Sequence, residues 1–362
     1  MEKQLKTLIL EQNHIDLGGK IVPFAGYSMP IQYSGVVEEH MRVREAVGIF
    51  DVSHMGEFYI QGEGALDLIQ KISSNDASKI EIGEAQYAYM PNDQGGIVDD
   101  FIVYRMAHED YMMVVNASNI NKDWNWISAH NTSKVSMTNQ SESICLLAVQ
   151  GPKAIDVLQK ITAEKLSEIK YYSFVVGNIG GVDNVIISAT GYTGSGGFEL
   201  YVSNANAVKL WEAVMEAGKS DDILPIGLGA RDTLRLEKGF CLYGNDIDEH
   251  TSPFEAGLGW ITKFSKPFIN SKHLQKQKEN GITRKLIGFS MLERGIPRKE
   301  YDILNDDGII IGKVTSGGQS PMLNKGIGMG YVPKEYSKKG TKIKIQIRKK
   351  QVKAEVVKVP FV

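Results

Sequence analysis

Cysteine is nearly absent: the 362 residues hold only Cys145 and Cys241. Two isolated thiols build no disulfide framework and no Cys/His ligand spacing, so a reducing compartment is expected and a metal is not. Long apolar runs are missing too. No stretch approaches the ~20 residues of a membrane span, and the apolar run within MEKQLKTLILEQNH is too short for a signal-peptide core. Neither sign of charge dominates, with 41 Lys and Arg against 43 Asp and Glu. A formal net charge of −2 gives nucleic-acid or membrane-surface binding no global support. A cytoplasmic protein is the expectation.

Hydrophobic residues at 42% and charged residues at 23% are those of an ordinary globular chain. The length suggests two or three domains. The 37 glycines cluster as GG and GxGG turns, which suits a β-rich chain with many tight reversals.

The most informative stretch is Gly95 to Tyr104, GGIVDDFIVY, where two carboxylates interrupt a run that otherwise reads as a buried strand. Alternation places Asp99 on the face of Ile97, Phe101 and Val103, and Asp100 on that of Val98, Ile102 and Tyr104. An ionised carboxylate among apolar neighbours is costly unless paired, hydrogen-bonded or protonated. For either Asp alone a structural ion pair explains the pattern as well as a chemical task does.

Along the chain, an amphipathic helix opens the sequence and a loop runs from Pro23 to Pro30. A helix covers Val36 to Val47, with His40 on its face. A polar link from Phe50 to Glu57 leads into a strand at Phe58 to Ile60; His54 and Met55 in it either line a site or cap the strand. From Glu57 to about His130 the order is strand, helix (Gly64 to Ile72), strand (Gln86 to Met90), GGIVDDFIVY, a hairpin into Tyr111 to Asn116, and a helix starting at Ser118 or Asn119. Trp124 and Trp126 stand two apart in that helix and cannot share a face. This alternation suggests an α+β sandwich.

Residues 144 to 204 are strand-rich, with a short helix at Ala154 to Ile161 and a glycine loop at Gly191, Gly194, Gly196 and Gly197. A strand, not a helix, follows the glycines, which argues against phosphate. Either the loop is a flexible hairpin, or it lets a flat ligand approach backbone while Tyr192 and Glu199 make specific contacts. In the helix Ala230 to Lys238, Arg231 and Arg235 stand four apart with Glu237 nearby, ordinarily a solvated surface. The helix Asn270 to Gln277 and the charged run Lys276 to Arg284 read as a linker. After it come short strands that suggest a small β-barrel. Lysines alternate with isoleucines over Lys342 to Arg348, a basic outer face that recruits an acidic partner or simply blocks edge pairing.

Seven stretches in order, FDVSHMGE, GGIVDDFIVY, VVNASN, LAVQGPKA, GYTGSGGFELYV, GARDTLRLEKGFCLYGND and VTSGGQSPML, resemble the aminomethyltransferase, or T-protein, family of the glycine cleavage system, from about Gly18 to Phe361. The resemblance implies an α+β, three-domain cloverleaf. Two intertwined sheet-and-helix domains in residues 1–280, one centred on about 57–135, form a folate cavity, and a β-barrel follows over 281–362. It implies transfer of a one-carbon unit from the lipoyl arm of H-protein to tetrahydrofolate, with release of ammonia and no metal. The family's catalytic aspartate falls on Asp99 and leaves Asp100 structural. Glu199 matches the glutamate that grips the pterin, and Arg231 the arginine near the folate tail. Met55, Tyr87, Asn116, Tyr192 and Trp260 fall at cavity-lining positions.

Two departures from the family pattern stand out. Ser195 and Gly196 replace an acidic pair, which implies a more mobile loop or a lost rim contact. Val362 stands where many members continue to a folate-approaching tyrosine. Folate-dependent demethylases share the cavity but differ in the run Leu234 to Asp248. A non-enzymatic iron–sulfur regulator carries Lys-Gly-Cys-Tyr, whereas here Phe240 separates Gly239 from Cys241.

Overall fold

The computed structural model describes residues 5–362, and the chain divides into two compact units. The first comprises residues 5–69, 77–87 and 101–232; the second comprises 70–76, 88–100 and 233–362.

The first unit is built on three sheets. A small one joins β1 (Lys6–Thr7), β2 (Lys20–Phe24) and β3 (Tyr27–Gln32) in the order β1-β3-β2. The stretch read as a loop from Pro23 to Pro30 is therefore a hairpin. Ala25 and Gly26, at φ of 50° and 86°, make its tight turn. Pro23 is tolerated because β2 is an edge strand. Of the amphipathic helix expected at the start, Met1–Gln4 lie outside the described residues, and α1 (Glu11–Asp16) follows β1. Then come α2 (Val36–Glu45), where a helix was expected, and β4 (Gly48–Asp51), a strand within what read as a polar link.

β4 joins a six-stranded sheet with β10 (Ile144–Gln150), β11 (Phe174–Ile179), β12 (Val182–Ser188), β13 (Gly197–Ser203) and β14 (Leu224–Pro225), in the order β11-β12-β13-β10-β4-β14. A five-stranded sheet takes β5 (Gly56–Gln61), β6 (Ala85–Pro91), β7 (Ile97–Ala107), β8 (Asp110–Val115) and β9 (Ser136–Asn139), in the order β6-β7-β8-β5-β9. Glu57 thus belongs to a strand.

Helices cover the outer faces. On the six-stranded sheet, α5 (Ala154–Gln159) and α6 (Asn204–Gly218) pack Val157, Leu158, Leu210, Trp211 and Val214 against Leu147, Val149, Leu200 and Val202. On the five-stranded sheet, Phe58 meets Trp124 of α4 (Ile120–His130) edge to face at 5.2 Å, and α3 (Ala65–Ile72) lies between β5 and β6 in the chain. The inner faces meet at Tyr104 and Tyr201, whose hydroxyls are 2.9 Å apart. The result is a four-layer α/β/β/α arrangement with the two sheets face to face.

The second unit contains α8 (Ser271–Asn280) and a closed barrel. Its strands are β15 (Arg284–Met291), β16 (Asp302–Leu304), β17 (Ile310–Ser320), β18 (Lys325–Pro333), β19 (Lys342–Ile347) and β20 (Lys350–Val357), in the order β15-β18-β17-β16-β19-β20. The core is apolar, filled by Ile287, Phe289, Ile303, Val314, Ile343, Ile345 and Val356 among others. Ile343 and Ile345 point inward from β19 while Lys342 pairs with Glu355 outside, as the alternation required.

The helix α7 (Leu228–Glu237) corrects one expectation. Arg235 and Glu237 are not on a solvated surface: they are 1% and 0% exposed. Arg235 donates to Asp246 at 2.8 Å, Ser316 at 2.9 Å and the Phe240 carbonyl at 3.0 Å, while Glu237 accepts from Ser320 at 2.6 Å. Sequence spacing placed the charges on one helix face; the segment after α7 and the barrel strand β17 supply their partners. No helix among the described residues is long and apolar enough to cross a membrane.

Candidate functional site

The space between the two sheets of the first unit is lined by polar side chains, unlike the barrel core. Strand register fixes which ones. On the five-stranded sheet Glu57, Val114 and Ile102 stand in one cross-strand row and Tyr59, Met112 and Tyr104 in the next. Opposite them Glu199 is flanked by Ala148 and Ser188, and Tyr201 by Leu146 and Ile186. A hydroxyl chain runs through the interlayer. Thr190 Oγ1 donates to Glu199 Oε2 at 2.5 Å, and lies 2.9 Å from Ser188 Oγ and 3.2 Å from Tyr104 Oη. Burial pushes the Glu199 carboxyl up from its ordinary value, and the Thr190 hydroxyl and the Arg231 guanidinium pull it back. Arg231 lies over the Tyr192 ring at 4.9 Å, a cation–π contact that orients the guanidinium. Burial lowers the Arg231 pKa, and Glu199 opposes that shift.

His54 is a further buried member. Its ring meets the edges of Phe24 and Tyr27 at 5.6 and 6.5 Å, and Nδ1 has no hydrogen-bond partner among the described residues. Burial and the Arg231 charge press its pKa down to about 3, so the imidazole is neutral.

The glycine loop that carries Tyr192 is not a free hairpin. Gln150 clamps it: Nε2 donates to the Thr190 carbonyl at 3.1 Å, and Oε1 accepts from Thr193 Oγ1 at 2.8 Å. A Cβ on Gly191 would sit 2.1 Å from Gln150 Oε1, and one on Gly197 2.2 Å from the Val149 carbonyl. Arg44 donates to the Thr193 carbonyl at 2.6 Å and to Ser195 Oγ at 2.8 Å, so the serine that replaces an acidic residue has a partner.

Glu199, Arg231 and Tyr192 are thus brought together. Met55 is half-buried in the turn after His54, Asn116 is half-buried at the end of β8, and Tyr87 is half-buried on β6. Asp99 and Trp260 belong to the second unit. Asp99 is fully buried on β7, where Ile97 N donates to the Asp248 carbonyl at 3.1 Å and Tyr243 Oη donates to the Ile97 carbonyl at 2.9 Å. Asp100 is half-buried, and its charge, after burial and Asp246, helps to raise the Cys241 thiol. Trp260 is 63% exposed. Glu57, Thr190, Tyr104 and Tyr201 were not singled out from sequence; their signal is strand alternation, visible only once the strand boundaries are known.

A four-layer domain with carboxyl, guanidinium and hydroxyl groups between its sheets, accompanied in the chain by a closed barrel, defines a class of two-part α/β-plus-barrel proteins. Family comparisons narrow the class. The model for the GCVT N-terminal domain matches residues 10–266, and that for the glycine cleavage T-protein C-terminal barrel domain matches residues 284–362. An aminomethyltransferase of Flavobacterium psychrophilum is 58% identical over 99% of both chains. One of Halothermothrix orenii is 49% identical over 99% of this chain and 100% of its own. The crystal structure of glycine cleavage system aminomethyltransferase T from Bartonella henselae superposes with a TM-score of 0.93 at 33% identity, covering 99% of this chain and 98% of that one. The chain belongs to the glycine cleavage T-protein family.

Proposed function

We propose that the protein is the aminomethyltransferase of a glycine cleavage system. In this reading it takes the aminomethyl group from the lipoyl arm of H-protein and passes the one-carbon unit to tetrahydrofolate. Ammonia, methylene-tetrahydrofolate and dihydrolipoyl H-protein result. The observation that carries the reading is the buried carboxylate of Glu199, fixed by Thr190 and beside an Arg231 that lies over Tyr192. An ionised carboxylate only accepts hydrogen bonds, which suits the adjacent N–H and NH₂ donors of a pterin. A guanidinium fork suits the carboxylates of the folate tail. Asp99 is assigned the chemical step: a folate nitrogen sheds a proton as it attacks carbon, and a positioned carboxylate accepts it or stabilises the cation formed as ammonia leaves. Met55, Tyr87, Asn116, Tyr192 and Trp260 are assigned to the walls of the ligand site. Incubation with tetrahydrofolate and aminomethylated H-protein, followed by an ammonia assay, tests the reading. Ammonia release no faster than in a protein-free control would overturn it.

A further inference from the structure

Most deeply buried carboxyls in this chain are visibly satisfied. Glu39 accepts the backbone N–H groups of Tyr33, Gly35 and Gly227 at 2.6 to 3.0 Å. Asp51 accepts from Ser53 and bonds His14, and Asp246 holds Arg235. Glu57 differs. It is 0% exposed, and neither carboxyl oxygen has a hydrogen-bond partner among the described residues. Its backbone N–H is occupied by Ser141 Oγ at 3.0 Å, and register places its side chain on the same inner face as Tyr104. Glu57 therefore projects from one sheet, and Glu199 from the other, into the same interlayer.

Two carboxyls in one buried space cannot both ionise at low cost. Burial first, and the charge of Glu199 second, hold the Glu57 carboxyl well above the ordinary carboxylate range. Glu57 is then a neutral acid with one donor and one acceptor, beside a carboxylate that only accepts. A buried polar group without a partner within the chain takes one from outside it, a water or a ligand. The complementary ligand carries adjacent N–H donors for Glu199 and an acceptor, such as a ring carbonyl, for Glu57.

We propose that Glu57 is a second recognition residue of the interlayer site, donating its carboxyl O–H to an acceptor atom of the ring that Glu199 holds. The proposal rests on the folate reading above and adds to it a residue that selects for an oxo-substituted ring. Its signature is a pair of opposite effects. Replacing an unsatisfied buried acid by an apolar residue relieves the unliganded protein, whereas the same change removes a contact from the complex.

The test compares wild type, Glu57→Gln, Glu57→Leu and Glu199→Ala by titration calorimetry with tetrahydrofolate and by thermal melting without it. Glu57→Gln, which keeps a neutral donor, should bind within about threefold of wild type, and Glu57→Leu about tenfold more weakly. The unliganded Glu57→Leu protein should melt no lower than wild type. Glu57→Leu binding like wild type while Glu199→Ala binds weakly would overturn the role of Glu57 and leave the folate reading standing. Wild type that fails to bind tetrahydrofolate would remove both. A Glu57→Leu protein that melts well below wild type would mark Glu57 as structural and also overturn the proposal.

Discussion

Two buried polar regions of this chain, the interlayer of the first unit and the seam between Arg235 and the outer face of β17, handle charge in opposite ways. In the barrel unit Arg235 and Asp246 are nearly inaccessible, yet each is fully engaged. Asp246 takes Arg235, Ser316 and the Leu242 N–H on one oxygen and Thr315 on the other. In the interlayer of the first unit, and among the described residues, Glu57 has no hydrogen-bond partner, His54 nearby has an unused nitrogen, and Glu199 has one oxygen engaged by Thr190. A satisfied buried charge fixes architecture; an unsatisfied one takes its partner from outside the chain, a water or a ligand. The distinction lies in the accounting of partners, since burial is the same in both.

That contrast can be broken most directly at the satisfied pair. Asp246→Ala leaves the Arg235 guanidinium buried without its carboxylate and should cost about 3–5 kcal/mol in denaturant unfolding. The double change Arg235→Met with Asp246→Leu should cost less than either single one. If Asp246→Ala proved neutral, the pair would not be the structural anchor described. Turnover comes next. Asp99→Asn keeps shape without charge or basicity and should lower aminomethyl transfer by about 100-fold or more, with folate affinity largely retained. Asp100→Asn should act mainly on stability, and wild-type turnover by Asp99→Asn would take the chemistry away from Asp99.

A smaller effect sharpens the contrast from the side of His54. Its folded pKa of about 3 lies below the ordinary 6.5, so between these values the unfolded chain binds a proton that the folded chain refuses. Stability contributed by this group is complete above pH 6.5 and is lost on acidification, by up to about 1.4 kcal/mol per pH unit. Urea unfolding at pH 7 and pH 5 should show a shallower loss for His54→Gln than for wild type. Equal slopes would mean that the imidazole is not held neutral.

The smallest effect concerns the barrel's outer face. Lys342 pairs with Glu355, and Lys344 donates to the Asp306 carbonyl at 2.7 Å, so part of the basic stripe is already engaged. Reversing Lys342, Lys344 and Arg348 to Glu should raise the apparent KM for an acidic H-protein a few-fold at low salt and leave that for tetrahydrofolate unchanged. Unaltered H-protein kinetics at low ionic strength would reduce the stripe to a solvated strand face.

β7 and β13 were legible as apolar and aromatic runs next to glycine turns, β19 by its alternation, and so were the barrel and the helix at Val36. The misses have physical causes. β4 is four residues long and wholly buried, so it shows no alternation. The hairpin of β2 and β3 carries prolines that read as loop. The helix α6 was passed over although Ala207, Leu210, Trp211 and Val214 recur at helical spacing. Within the site, Tyr192 and Glu199 were candidates from the glycine loop itself, and family resemblance gave them roles and added Arg231. Glu57 was not reached, because its setting depends on a carboxyl far along the chain and nothing local marks it.

The position of β4 also constrains how the chain can be made. It sits between β10 and β14, pairing Leu147 with Asp51 on one side and Leu224 with Gly48 on the other. A nascent chain therefore holds the apolar segment Gly48–Asp51 unpaired until residues near 150 emerge, and its second edge stays open until residue 225 does. Such long-range closure makes folding slow and exposes a sticky strand during synthesis. Fragments ending between Ser203 and Leu224 should therefore aggregate, whereas a chain extended past Pro225 has every strand that this sheet needs.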